Sequence, residues 1–89
     1  MPTPEELEDE DRRVRQLRIA VSLALNVIAQ TNVSLAQARE IEAATRAMAL
    51  RMFPGKELAF DLIYLPRFRR LLADRFGAAA FRPHPPSPN

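Results

Sequence analysis

The sequence predicts an all-α protein: a long antiparallel helical hairpin, followed by one or two short C-terminal helices, that associates with itself. Two capping boxes, one near each expected helix start, mark the two arms of the hairpin. A Pro-Gly pair then ends the second arm. The run at residues 19–29 is apolar nearly all round, which favours burial on several sides and hence self-association.

The first helix is predicted to begin at Thr3, where Glu6 completes a capping box and Pro4 suits the first helical position. It should end near residues 31–32, which makes it about 28 residues or roughly 42 Å long. Its first third has few apolar residues and is expected to project into solvent or to fray. The expected core stripe is Val14, Leu17, Val21, Leu25 and Ile28.

The second helix is predicted to begin after the capping box of Ser34 and Gln37 and to run over residues 35–53. The short link at residues 32–33 makes the first two helices an antiparallel hairpin. The expected core stripe of this helix is Leu35, Ala38, Ile41, Thr45, Met48 and Met52.

The segment 57–65 is ambiguous, because nine mostly apolar residues between a glycine and a proline also suit a buried strand. Helix is favoured because Glu, Leu and Ala prefer it and only Ile63 is β-branched. Pro66 is expected to hold Leu65 extended and to open a last helix that Gly77 caps. The inner face of that helix would be Phe68, Leu71, Leu72 and Phe76.

Composition indicates one helical domain over residues 1–81 and a disordered proline-rich tail over residues 82–89. The chain has no cysteine, its opening residues do not resemble a signal peptide, and its apolar run of 11 residues is too short to span a membrane. We therefore expect a soluble, cytoplasmic protein. Twelve of its 13 cationic residues are arginine, which suggests a GC-rich bacterial genome.

The apolar run supplies the predicted self-association surface. Residues four apart share one side of a helix, and three of the four rows in this run are apolar. A chain of 89 residues can hardly cover such a helix completely, so we expect a homo-oligomer, with a two-fold dimer as the default. The candidate contact residues form two rows: Ile19, Leu23 and Val27, and Ala20, Ala24 and Ile28.

The remaining row, formed by Ser22, Asn26 and Gln30, is polar. It either faces water or places Asn26 in an interface, where a buried asparagine fixes the register of paired helices. Facing water is the favoured interpretation.

An arginine cluster near the C-terminus offers the main alternative function, a nucleic-acid interface over residues 67–82. Guanidinium groups would contact phosphate, and the interleaved aromatic rings would stack on bases. An acidic protein partner would suit the same charges. The favoured interpretation is structural, with the rings in the core and the arginines on a solvated face, because the net charge is only +2. The candidate contact residues are Arg67, Arg69, Arg70 and Arg75.

No residue pattern indicates catalysis, a cofactor or a metal. Glu57 and Asp61 are four apart, but two carboxylates without a third ligand specify no metal. His84 is the single histidine and lies in the proline-rich tail. We therefore expect a non-enzymatic protein that homo-oligomerises and acts by protein–protein interaction. An accessory or antitoxin-like protein that masks another protein is a further alternative.

Overall fold

The computed structural model describes residues 1–77 and 80 and contains, within them, four helices and no strand. This confirms the all-α prediction. The expected tail at residues 82–89 lies outside the described residues. The helices are α1 (Pro4–Gln30), α2 (Leu35–Met52), α3 (Glu57–Ile63) and α4 (Leu65–Phe76).

Both predicted capping boxes are present. The hydroxyl of Thr3 accepts a hydrogen bond from the backbone N–H of Glu6, and the Glu6 carboxylate accepts one from the N–H of Thr3. Ser34 and Gln37 form the same reciprocal pair at the start of α2. These bonds satisfy backbone donors that a helix N-terminus leaves unpaired.

The ambiguous segment is a helix, since α3 occupies Glu57–Ile63. The expectation of an extended Leu65 is wrong, because Leu65 is the first residue of α4. Only Tyr64 separates the two helices, and its carbonyl accepts hydrogen bonds from the N–H groups of Arg67 and Phe68 at 3.0 and 3.4 Å. This hydrogen bonding overrides the usual preference of a residue before proline for extended backbone. Gly77 caps α4 as predicted, with φ of 71°.

All four helices contribute to one apolar core in the described part of the chain. In α2, the small residues Ala38, Thr45 and Ala49 are buried, while the bulkier predicted stripe residues are only half-buried. Short side chains at the contact let α2 approach its neighbours closely. The core residues are Leu17, Val21, Ala24, Ile28, Ala38, Ala49, Phe60, Phe68 and Leu72.

The beginning of α1 extends beyond this core. Residues 1–13 are all exposed, yet the helix already begins at Pro4. The first turns therefore rest on their capping box and on local ion pairs such as Asp9–Arg12, at 3.0 Å, rather than on packing.

Candidate interaction surfaces

An uncovered apolar row runs along α1, and we name Ile19, Leu23 and Val27 together the α1 ridge. Their side chains are 55%, 60% and 41% exposed. Because successive members are four residues apart, they lie on one side of the helix. None of the three belongs to the core formed by the described residues. The ridge is the part of the predicted self-association surface that remains available to a partner.

The second predicted row lies largely inside the chain. Ala24 and Ile28 are buried in the core, and Ala20 is half-buried. Both α2 and α4 contact α1, so the protein itself covers this side of the helix. Ala24 and Ile28 are therefore core residues in the single chain, and the surface left for association is narrower than the sequence suggested.

The polar row of α1 is exposed at Ser22, Asn26 and Gln30. Asn26 also borders a shallow groove between α1 and α4, beside Arg67 and Arg70. In the single chain these side chains accordingly face solvent, and a role for Asn26 in register remains a prediction.

The arginines of α4 do not share one surface. Two of them, Arg67 and Arg70, border the groove beside Asn26. Arg69 instead acts electrostatically on Glu42 and Asp61, on the α2 and α3 side of the helix. Since the three exposed arginines diverge, a single phosphate backbone would not meet all of them on one face.

The fourth arginine, Arg75, is engaged within the chain. Its guanidinium donates a hydrogen bond to the carbonyl of Ile28, one of the last carbonyls of α1, which lack partners within the helix. A cation at this end of α1 also suits the helix dipole. The same guanidinium lies 5.5 Å from the ring centre of Phe76. Arg75 therefore joins α4 to the end of α1.

The aromatic rings near these arginines pack inward. Phe68 is fully buried, while Tyr64 and Phe76 are half-buried against the core. Stacking on bases requires an exposed ring face, which Phe68 lacks. Phe81 and Arg82 lie outside the described residues.

A bidentate ion pair links α2 to α3. Nε and Nη2 of Arg46 donate hydrogen bonds to the two carboxylate oxygens of Asp61, at 2.8 and 3.0 Å. This hydrogen bonding lowers the pKa of Asp61. Asp61 is thus held by Arg46 of α2. Among the described residues, no group of three or more His, Cys, Asp or Glu side chains is placed to hold a metal ion.

A second carboxylate, that of Glu42 between α2 and α4, has fewer hydrogen-bonded oxygens than Asp61 among the described residues. Burial raises the pKa of Glu42, although the positive charges of Arg69 and Arg39 act in the opposite direction. Its Oε1 is buried and accepts no hydrogen bond from the residues that the structure describes. Glu42 therefore carries a desolvation penalty in the native protein.

A groove of about 300 Å³ opens between α1, α2 and α3, and we name it the α3 groove. Its lining is mostly apolar, including Val14 of α1, Ile63 of α3 and Phe53, the C-cap residue of α2. Among the described residues, the charged ones in this lining are Arg18 and Lys56, and none is acidic. The groove is therefore apolar inside and basic at its edge.

The outer side of α3 extends this apolar surface, and the sequence interpretation missed it. Leu58, Leu62 and Ile63 are 71%, 69% and 60% exposed. The signal was present in the spacing. Phe60 and Tyr64, four apart, make the inner side, so Leu58 and Leu62, also four apart, must point away from it.

Comparison with models of protein families, with curated proteins and with solved structures finds no match. None of the helices in the described residues is long and apolar enough to cross a membrane. The α1 ridge, the α3 groove and the distribution of charge are therefore the features that bear on function.

Proposed function

We propose that this chain is a non-enzymatic helical protein that forms a homodimer through the α1 ridge and acts by protein–protein contact. The observation that carries the proposal is the exposure of Ile19, Leu23 and Val27, at 55%, 60% and 41%, on one side of one helix. Contiguous exposed apolar patches, unlike apolar residues scattered singly, mark interaction sites on protein surfaces. Pairing two ridges would remove this surface from water, and each Å² of apolar surface buried stabilises the dimer by about 25 cal/mol.

The proposal includes an antiparallel hairpin of α1 and α2 as the frame that presents the ridge. Support comes from the α3 groove, where Val14 and Leu17 of α1 lie near Leu50 of α2 and near Phe53, the C-cap residue of α2. The middle of α1 is thus beside the end of α2. With α3 and α4 packed on this pair, the ridge side of α1 is left open to a second copy.

The chemistry beside the ridge also suits a second copy. After Arg18, α1 carries no charged residue, so two ridges can meet without burying an unpaired charge. The adjacent exposed residues Ser22 and Asn26 would supply a polar rim. A two-fold axis would then place the same strip on both sides of the contact.

Adding one charge to the ridge tests the proposal. Leu23→Glu should weaken dimerisation at low micromolar concentration, because the new carboxylate would be buried in the contact. Ser22→Glu is the matched control, since it adds the same charge at the adjacent exposed position of the same helix. Sedimentation velocity compares the association of the two variants. If the two substitutions weaken dimerisation equally, or if neither weakens it, the ridge does not form the contact.

A further inference from the structure

The α3 groove has the chemistry of a receptor for an apolar side chain flanked by acids. Val14, Phe53 and Ile63 form an apolar lining, and Arg18 and Lys56 bring positive charge to it. Ile63 is 60% exposed, so the groove is accessible from solvent.

The chain itself contains such a segment, residues 5–11, which we name the acidic segment. It carries six acids and no base, and every one of its residues is exposed. Leu7 is the large apolar residue within it, 48% exposed. Glu10 and Asp11 follow Leu7 by three and four residues, so they lie on the same side of α1. The segment therefore presents one apolar anchor beside carboxylates.

Leu7 cannot enter the groove of its own chain. It precedes Val14, which lines the groove, by seven residues of the same helix, or about 10 Å along the axis. An acidic segment that occupies the groove must therefore come from another copy.

We infer that the α3 groove binds the acidic segment of a second copy of this chain, with Leu7 in the groove and the carboxylates beside Arg18 and Lys56. Each copy has both the segment and the groove, so the contact forms twice about a two-fold axis. This contact is separate from the α1 ridge and goes beyond the proposed function.

Charge selects the acidic segment over the α1 ridge as the occupant. The ridge is also apolar, but it contains no acid, and the charged residues that directly precede it are Arg15 and Arg18. The ridge therefore offers no negative charge to Arg18 and Lys56 of the other copy. The acidic segment brings negative charge, which is attracted to Arg18 and Lys56.

A spin label on full-length protein locates the contact. The chain has no cysteine, so Pro2→Cys, at an exposed position before the helix, gives one labelling site near Leu7. Spin-labelled chains are mixed with ¹⁵N-labelled chains that carry no label, so any broadening is intermolecular. We expect amide signals of Phe53, Lys56 and Ile63 to broaden, and to recover at high salt. Broadening confined to residues 19–27, its absence at high micromolar concentration, or indifference to salt would overturn the inference.

Two independent substitutions test the anchor and the charge. Leu7→Ala should weaken the contact about fivefold to tenfold, because part of a leucine side chain is no longer buried. Lys56→Glu should weaken it by reversing the sign at the groove edge. Arg70→Glu is the control for charge, since Arg70 is exposed and borders the other groove. If Leu7→Ala and Lys56→Glu leave the broadening unchanged, or Arg70→Glu reduces it equally, the inference fails.

The same measurement in a Leu23→Glu background separates this inference from the proposed function. If the groove contact exists and the ridge contact does not, broadening at Phe53 and Ile63 is unchanged by Leu23→Glu and the sedimentation behaviour is too. If only the ridge contact exists, Leu23→Glu abolishes association and broadening at the groove never appears. If both contacts exist, Leu23→Glu lowers the average mass while broadening at Phe53 and Ile63 persists.

Discussion

Glu42 and Asp61 are carboxylates close to arginines, yet their surroundings shift their pKa values in opposite directions. Arg46 donates two hydrogen bonds to Asp61, and these lower the pKa of Asp61. Glu42 is half-buried with an unsatisfied oxygen among the described residues, and burial raises its pKa. The stabilisation that involves ionised Asp61 is present above the unfolded-state pKa of Asp and is lost as pH falls through the lower folded-state value. For Glu42, ionisation opposes folding.

Replacing Glu42 with glutamine should therefore stabilise the protein at pH 7. The amide has no charge to desolvate, and it removes the penalty that ionised Glu42 carries in the folded state. Near pH 3, where Glu42 is protonated in both folded and unfolded chains, the two proteins should melt at nearly the same temperature. Thermal unfolding followed by circular dichroism at both pH values measures this difference. Glu40→Gln, at an exposed position of the same helix, is the control for replacing a carboxylate with an amide.

For the helices, the sequence predicted the features that depend on residues close together in the chain. The starts of α1 and α2 followed from reciprocal hydrogen bonds of Thr3 with Glu6 and of Ser34 with Gln37, which form within one turn. The covered sides were harder to predict, because they depend on distant packing. Ala24 was assigned to a contact with a partner, whereas the chain's own helices bury it. The exposure of Leu58 was not anticipated. Nor could spacing alone show that Arg75 reaches the end of α1.

The two capping boxes should contribute unequally to global stability. Ser34→Ala should lower the free energy of unfolding by about 1 kcal/mol, since α2 is packed into the core from Ala38 onward. Thr3→Ala should have a much smaller effect, because residues 1–13 are exposed and their fraying leaves the core intact. Urea denaturation of the two variants compares them. Equal losses would mean that the first turns of α1 unfold together with the rest of the protein.

At the scale of the whole molecule, charge is separated along the chain. The acidic segment precedes a body in which residues 12–89 carry 13 bases and five acids. Such polarity favours contacts between copies, in which acidic and basic regions meet. It opposes a polyanion, which would be repelled by the six acids of the same chain.

Nucleic-acid binding should consequently be weak and non-specific. Replacing Arg67, Arg69 and Arg70 together with alanine should change it little at physiological salt, because these exposed side chains diverge around α4. Fluorescence anisotropy with labelled DNA and RNA over a range of salt concentrations measures the effect. Sub-micromolar affinity that the triple substitution abolishes, with a salt slope reduced by about three phosphate contacts, would favour the nucleic-acid alternative instead.

Exposed apolar surface on α1 is, in this proposal, covered by a second copy in solution. Sedimentation equilibrium of the unmodified chain, from low to high micromolar concentration, measures this association. We predict an average mass that rises with concentration from one chain to at least two, and a Leu23→Glu variant whose average mass is lower than that of the parent at the same concentration. A folded parent chain that remains a monomer throughout this range would show that no such contact forms.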